Sequence, residues 1–177
     1  MIKIYEDQIE GRNAVIEALK AGRPMNKIYI KKGERHGNIF RIINMAKKTG
    51  VPILELDDKA FSSMVETSGH QGVIAKAASK EYVSVDDILQ HARKLGESPF
   101  VIILNELEDP QNLGSVLRTA DGLGVHGVII SKHRACGVTP TVTKVSSGAS
   151  EYVRIARVPN IRSEERRVGK ECRSRWS

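Results

Sequence analysis

Two short apolar runs separated by one amphipathic segment constrain the fold of this chain more than any other feature. Residues 100–104 and 128–130 are almost entirely branched or aromatic, as expected of parallel strands buried on both faces. Between them, a turn at 108–112 leads into a segment with helical apolar spacing that ends near Gly124. This strand–helix–strand order predicts a parallel sheet in an α/β domain.

The first half of the chain also alternates between helical and strand patterns. Helical spacing occurs over 11–19, 39–46 and 58–65, and strand patterns occur over 27–31, 51–56 and 72–75. We therefore expect a small α/β domain over residues 1–78. We interpret residues 79–98 as a linker with one helix, and Ser84 and Asp87 form a capping box at the start of that helix. A second domain follows from residue 99.

The charge balance favours an anionic partner such as nucleic acid. The 177 residues include 28 Lys and Arg against 21 Asp and Glu, a formal net charge of +7. No apolar run approaches the roughly 20 residues that cross a bilayer, and the first residues do not resemble a secretory signal. The 2 cysteines are too few for a disulfide framework or a zinc site. We expect a cytoplasmic protein that binds neither membrane nor metal.

Residues 162–177 differ in composition from the rest of the chain. They hold six basic and three acidic residues, the only Trp and one of the two Cys, and almost no apolar residues. We find neither helical nor strand periodicity in them. We therefore interpret 162–177 as a non-native tail and end the second domain, incomplete, at residue 161. A basic RNA-binding tail is the alternative.

The residues best suited to chemistry lie in the helix that follows the first apolar run. Asn112 is expected near the helix start, where its side chain can cap free amides. Helical spacing places the buried stripe at Leu113, Val116, Leu117, Ala120 and Leu123. Arg118 falls on the other side with the small residues Gly114 and Ser115, so a phosphate or ribose could approach its guanidinium. An exposed ion pair with Asp121 is the alternative role for Arg118.

The same segment carries a family resemblance. Asn105, Asp109-Pro110, Asn112, Gly114 and Arg118-Thr119-Ala120 together resemble the first conserved motif of the SpoU (TrmH-type) RNA ribose 2′-O-methyltransferases. Residues 10–19 and 69–73 resemble the substrate-binding domain of that family, and 144–160 are similar as well. The resemblance runs from about residue 9 to residue 161 and is nearest to the RlmB-like group, which modifies a guanosine of large-subunit ribosomal RNA.

This resemblance implies a fold and a reaction. The fold would be a small N-terminal α/β substrate-binding domain plus the first part of an α/β trefoil-knot (SPOUT) methyltransferase domain, in a homodimer. The reaction would transfer a methyl group from S-adenosylmethionine to a ribose 2′-hydroxyl of ribosomal RNA. By the resemblance, Arg118 is the catalytic arginine, and Asn112 shapes the site around it. Because arginine rarely loses its proton, we expect Arg118 mainly to position the hydroxyl and a phosphate.

The resemblance also suggests which residues face RNA. We expect basic and polar side chains of the first domain to contact it, namely Arg12, Asn13, Lys31, Lys32, Arg35 and His70. A solvated basic surface is the alternative for the cations. A purely structural place in the turn between Gly69 and Gly72 is the alternative for His70.

The chain departs from the family after residue 161. The second family motif, a glycine-flanked glutamate, and the third, rich in Ser and Asn, do not occur in 162–177. Because these segments form the knot and most of the S-adenosylmethionine pocket, we expect this chain to be an inactive fragment. A non-catalytic RNA-binding or ribosome-associated module is the alternative function. A dinucleotide-dependent oxidoreductase is disfavoured, since Gly122 and Gly124 do not form its glycine fingerprint.

Overall fold

A computed structural model describes residues 6–33, 37–67 and 69–174 of the chain. Two α/β units follow each other along the sequence. The elements of the first unit are β1 (Glu6–Glu10), α1 (Arg12–Lys20), β2 (Met25–Lys31), α2 (Ile39–Thr49), β3 (Ile53–Leu56), α3 (Asp58–Ser62) and β4 (Val73–Ala78). Those that follow are α4 (Val85–Leu95), β5 (Val101–Leu104), α5 (Pro110–Gly122), β6 (Gly127–Ser131), α6 (Pro140–Val145), a 3-10 turn (Ala149–Glu151), β7 (Ile155–Val158) and α7 (Ile161–Ser174).

The first sheet is mixed and has the strand order β1-β4-β2-β3. Only β2 and β3 are parallel, and β4 runs antiparallel to both of its neighbours. The buried side chains of α1 and α2 share one core with this sheet, in which Ile28, Ile30 and Ile42 are almost fully excluded from solvent. Helix α2 ends at Gly50, whose φ of 72° is left-handed, as helix C-termini often require.

The second sheet is parallel and has the order β5-β6-β7. Strand β6 lies in the centre and is buried along its whole length. Strand β5 lies at an edge, and each of its residues is only partly buried, so the prediction that 100–104 is covered on both faces is wrong. An apolar run indicates that a strand faces a core, but it does not indicate whether other strands pair with both edges of that strand.

Helix α4 packs on the second sheet. The Ser84 side chain accepts a hydrogen bond from the Asp87 amide, while the Asp87 carboxylate accepts one from the Ser84 amide, which confirms the predicted capping box. Ile88 is fully buried against this sheet, and a Cβ on Gly127 would lie 2.5 Å from its Cδ1. A glycine at the start of β6 therefore allows the helix to approach the sheet closely.

Helix α7 corrects the expectation that 162–177 lacks regular structure. The Asn160 side chain accepts a hydrogen bond from the Ser163 amide at 3.2 Å and begins the helix. Val168 lies two helical turns after Ile161, and both pack in the core under α4. Arg167 bonds to Asp86 of α4. Two apolar positions in a charged segment are too few to reveal a helix by periodicity, which is why the sequence did not predict it.

The two units pack against each other through α1, β1 and α6. Arg23 pairs with Glu151 at 2.7 Å and with Asp7 at 2.5 Å, and its side chain is only 7% exposed. The Tyr152 hydroxyl donates to the Glu17 carboxylate at 2.7 Å. Burial and this carboxylate together raise the pKa of Tyr152 to about 12. Within the described ranges no helix has the length and apolar character needed to cross a membrane.

Candidate functional site

A polar crevice lies at the carboxyl ends of the three strands of the second sheet. It has a volume of about 570 Å³, and the loops after β5, β6 and β7 supply most of its walls. Ligands of open α/β sheets bind at this edge. The lining side chains with polar groups include Asn105, Ser131, His133, Arg134, Asn160 and Arg162. Their grouping could not be predicted from the sequence, because only the parallel order of the strands brings them together.

Two residues in this crevice have an uncommon backbone conformation. Glu106 and Arg134 have φ values of 54° and 48°. Their side chains form an exposed ion pair at 3.3 Å. Left-handed conformations are costly for residues with side chains and tend to occur at functional sites, so this geometry supports a ligand site here.

The two expected catalytic residues lie on the exposed side of α5, outside the crevice lining. Asp109 is the N-cap, and its side chain accepts from the Gln111 amide at 2.8 Å, with Pro110 as the first helical residue. The expectation that Asn112 caps the helix is therefore wrong, because Asp109 already occupies that place. The Arg118 guanidinium makes no hydrogen bond or ion pair with any described residue, so the alternative pairing with Asp121 is not formed.

The surroundings of Arg118 differ from the sequence expectation at two positions. Gly114 is buried, and a Cβ there would lie 2.6 Å from the Cβ of Val145 on α6. Gly114 therefore allows α5 and α6 to pack closely and does not open a surface beside Arg118. Leu123 is 60% exposed, so it is not part of the buried stripe, which Leu113, Leu117 and Ala120 form as expected.

A second, smaller cleft lies between the two units. Its volume is about 190 Å³, and Arg12, Asn13 and Gln71 of the first unit face Lys144 and Ser147 of the second. The Arg12 Nε donates to the Gln71 carbonyl at 2.9 Å. The Asn13 side-chain oxygen accepts from Asn38 at 3.4 Å. This interdomain cleft therefore contains two of the residues expected to bind RNA.

The other described residues expected to bind RNA do not line this cleft. Lys31 forms an ion pair with Asp58 at 2.6 Å, and Lys32 is exposed. Arg35 lies outside the described residues. His70 Nδ1 accepts from the Gly72 amide at 3.0 Å, and its ring lies 5.1 Å from that of Phe61. This geometry gives His70 the structural role in its turn that the sequence left open.

A buried carboxylate at the cleft floor was missed by the sequence analysis. Glu10 is fully buried and accepts hydrogen bonds from Gln8 Nε2 at 2.6 Å, Glu66 N at 2.7 Å, Thr67 N at 2.9 Å and the Thr67 hydroxyl. Burial raises the pKa of Glu10, but these hydrogen bonds outweigh it and leave the pKa below its ordinary value. Glu10 therefore fixes the 66–67 segment against β1.

Glu10→Gln is expected to lower the free energy of unfolding by about 1–3 kcal/mol at neutral pH, because an amide NH2 would face backbone donors. The Glu10 pKa is lower in the folded chain, so its stabilisation is complete above the ordinary glutamate range. It is lost as the pH falls through the lowered pKa. Urea unfolding at several pH values should show that the free energies of unfolding of the unmodified chain and of Glu10→Gln converge in acid. A difference that grows in acid would contradict this role.

Comparison with known proteins identifies the units. Residues 8–83 match the family described as RNA 2′-O ribose methyltransferase substrate binding, and residues 99–173 match the SpoU rRNA methylase family. The chain belongs to the SpoU family. The second match continues past residue 161, where the sequence analysis ended the resemblance, and includes most of α7.

Curated relatives of this SpoU-family chain are longer than it is. A putative TrmH family tRNA/rRNA methyltransferase, YacO of Bacillus subtilis, is 46% identical over 155 residues, which cover 88% of this chain and 62% of the relative. A putative TrmH family tRNA/rRNA methyltransferase of Staphylococcus aureus is 43% identical over 153 residues, covering 86% and 61%. The chain thus spans less than two thirds of these relatives.

Solved structures with the same fold confirm the α/β architecture. An AdoMet-bound rRNA methyltransferase from Sinorhizobium meliloti superposes with a TM-score of 0.72 at 22% identity, covering 94% of this chain and 59% of that one. The SpoU methyltransferase AviRb from Streptomyces viridochromogenes, in complex with AdoMet, has a TM-score of 0.69 at 20% identity, covering 93% of this chain and 61% of that one.

The described residues hold no group of three or more acidic, histidine or cysteine side chains suited to a metal ion.

Proposed function

We propose that this chain is the first part of an RNA ribose 2′-O-methyltransferase that uses S-adenosylmethionine and acts on ribosomal RNA. The observation that carries this proposal is the tandem match of a substrate-binding domain and a methylase domain in one chain. The first unit would bind RNA, and the second would present the reacting ribose to the methyl donor. We further propose an RlmB-like, cytoplasmic homodimer as its working form.

Arg118 is the residue we assign to the reacting ribose. Its guanidinium is exposed and has no partner in the described structure, so it is available to bind a phosphate or ribose oxygen. A guanidinium can hold two oxygens at once, which suits positioning of the 2′-hydroxyl relative to its phosphate. Asn112 lies nearer the start of the same helix and is also exposed, and we assign it to the site around Arg118.

The methyl donor needs more residues than the strand-end crevice provides. S-adenosylmethionine has an adenine ring, which proteins usually hold in an apolar slot, yet Pro159 and Ile161 are the apolar residues among the crevice lining described here. The described residues therefore do not fit the whole molecule. We assign none of them to it and derive no chemical step through it.

This mismatch predicts that the chain alone binds S-adenosylmethionine weakly. Isothermal titration is expected to show no binding in the micromolar range for residues 1–177. The complete protein, meaning a chain that spans the full length of the relatives, is expected to bind it. Micromolar binding by the chain alone would contradict the view that the donor pocket lies mostly beyond it.

Transfer of a labelled methyl group to RNA tests the proposed reaction. The complete protein is expected to label ribosomal RNA and not a DNA of the same sequence, because DNA lacks the 2′-hydroxyl. A non-catalytic RNA-binding module is the second candidate, favoured by the incomplete donor pocket. It would bind ribosomal RNA without labelling it, even when the natural continuation is present.

A further inference from the structure

We propose that the interdomain cleft binds one backbone phosphate of the RNA, with Lys144 of the second unit and Arg12 of the first on its opposite walls. This inference rests on the proposed function, since it takes RNA as the ligand. It adds Lys144, which the sequence analysis did not select, as a residue that sets the position of RNA across both units.

Lys144 is placed to receive an anion. It lies on α6, and its ammonium group reaches over the first unit, where a Cβ on Gly69 would be 3.2 Å from Nζ. Within the described residues, Lys144 has no ion pair or hydrogen bond. An ammonium group held between two units without an ion-pair partner favours a ligand that supplies one.

The opposite wall is held in a defined geometry. The Arg12 Nε donates to the Gln71 carbonyl, and the Arg12 amide donates to the Gln71 side chain at 3.3 Å. These bonds fix Arg12 to the turn that forms the rim of the cleft. Asn13 follows on the same wall and provides a side-chain amide that can donate to a phosphate oxygen.

Backbone strain occurs on both sides of the cleft. Gln71 has a φ of 52° and Ser147 a φ of 54°. They belong to different units, yet both line the cleft. Four non-glycine residues in the described chain have positive φ, and the other two line the strand-end crevice. Strained backbone conformations of this kind tend to persist at functional sites. They therefore favour both the interdomain cleft and the strand-end crevice as binding sites.

The size and lining of the cleft select a phosphate over a base or a larger ligand. Its volume of about 190 Å³ is below the roughly 300–1,000 Å³ of typical small-molecule pockets. None of its lining residues is aromatic, so a base would have no ring on which to stack. Glu10 at its floor is the acidic lining residue, and its carboxylate is buried and already accepts four hydrogen bonds.

The salt dependence of RNA binding tests this site. We compare the chain with its Lys144→Ala and Lys94→Ala variants, using a short single-stranded oligoribonucleotide over a range of salt concentrations. Lys94 is an exposed lysine of the second unit that does not line the cleft, so it controls for the loss of one positive charge. Lys144→Ala is expected to raise Kd about tenfold at low salt. It should also reduce the slope of log Kd against log salt by roughly 0.7 to 1.

Lys94→Ala should leave both quantities near those of the unmodified chain, and Lys144→Arg should retain most of the affinity. The inference is overturned if Lys144→Ala and Lys94→Ala behave alike while the unmodified chain binds RNA. If the unmodified chain binds no RNA, the inference and the RNA-binding part of the proposed function both fail. Unchanged thermal unfolding of Lys144→Ala would show that the fold is intact.

Discussion

Arg118→Ala is expected to slow methyl transfer by the complete protein about 10²- to 10⁴-fold while leaving its free energy of unfolding unchanged. The guanidinium is exposed and makes no hydrogen bond or ion pair with the described residues that its removal would break. Its loss would leave the 2′-hydroxyl without a group that holds it in line with the donor. Single-turnover rates measured with saturating RNA separate this effect from weaker binding.

Two further variants sharpen the Arg118 prediction. Arg118→Lys keeps the charge but not the planar two-pronged donor, so its rate should fall between those of the unmodified protein and Arg118→Ala. Lys94→Ala removes an exposed cation elsewhere in the same unit and should leave the rate unchanged. A single-turnover rate for Arg118→Ala within twofold of the unmodified protein would rule out the role given to this residue.

Arg23→Ala is expected to lower the free energy of unfolding of the chain by about 3–5 kcal/mol. Arg23 pairs with Glu151 across the contact between the units, and the Glu151 side chain is only 2% exposed. Removing the guanidinium would leave this carboxylate buried without its partner. Urea unfolding followed by circular dichroism measures the change.

Lys20→Ala is a matched control for Arg23→Ala. Lys20 pairs with Glu17 at 2.7 Å on the surface, with its side chain 39% exposed, so its loss should cost less than about 1 kcal/mol. Adding Glu151→Gln to Arg23→Ala should restore part of the loss, because it removes the unpaired charge. Equal effects of Arg23→Ala and Lys20→Ala would show that the buried pair does not hold the units together.

Elements defined by local patterns could be predicted from the sequence. Helices α1, α2, α4 and α5 show apolar spacing over several turns, and Ser84 and Gly50 mark helix ends through their own side-chain or backbone chemistry. The parallel order of β5 and β6 followed from the single helix between two apolar runs. Because these features depend on neighbours close in sequence, a single sequence is enough to predict them.

Features that depend on distant neighbours could not be predicted in this way. Strand β1 pairs with β4, far along the chain, and its own residues alternate too weakly to indicate a strand. The edge position of β5 and the burial of Gly114 follow from which elements pack beside them. The motif around Arg118 was recognisable from its residues, but the sequence did not indicate that Lys144 and Arg12 line one cleft.

The position of the transferred methyl group tests the central claim most directly. The complete protein is incubated with ribosomal RNA and S-adenosylmethionine carrying a labelled methyl group, and the RNA is then hydrolysed in alkali. A 2′-O-methyl group blocks cleavage at its own nucleotide, so we expect the label in alkali-resistant dinucleotides. Label recovered in mononucleotides would place the methyl group on a base and contradict the account.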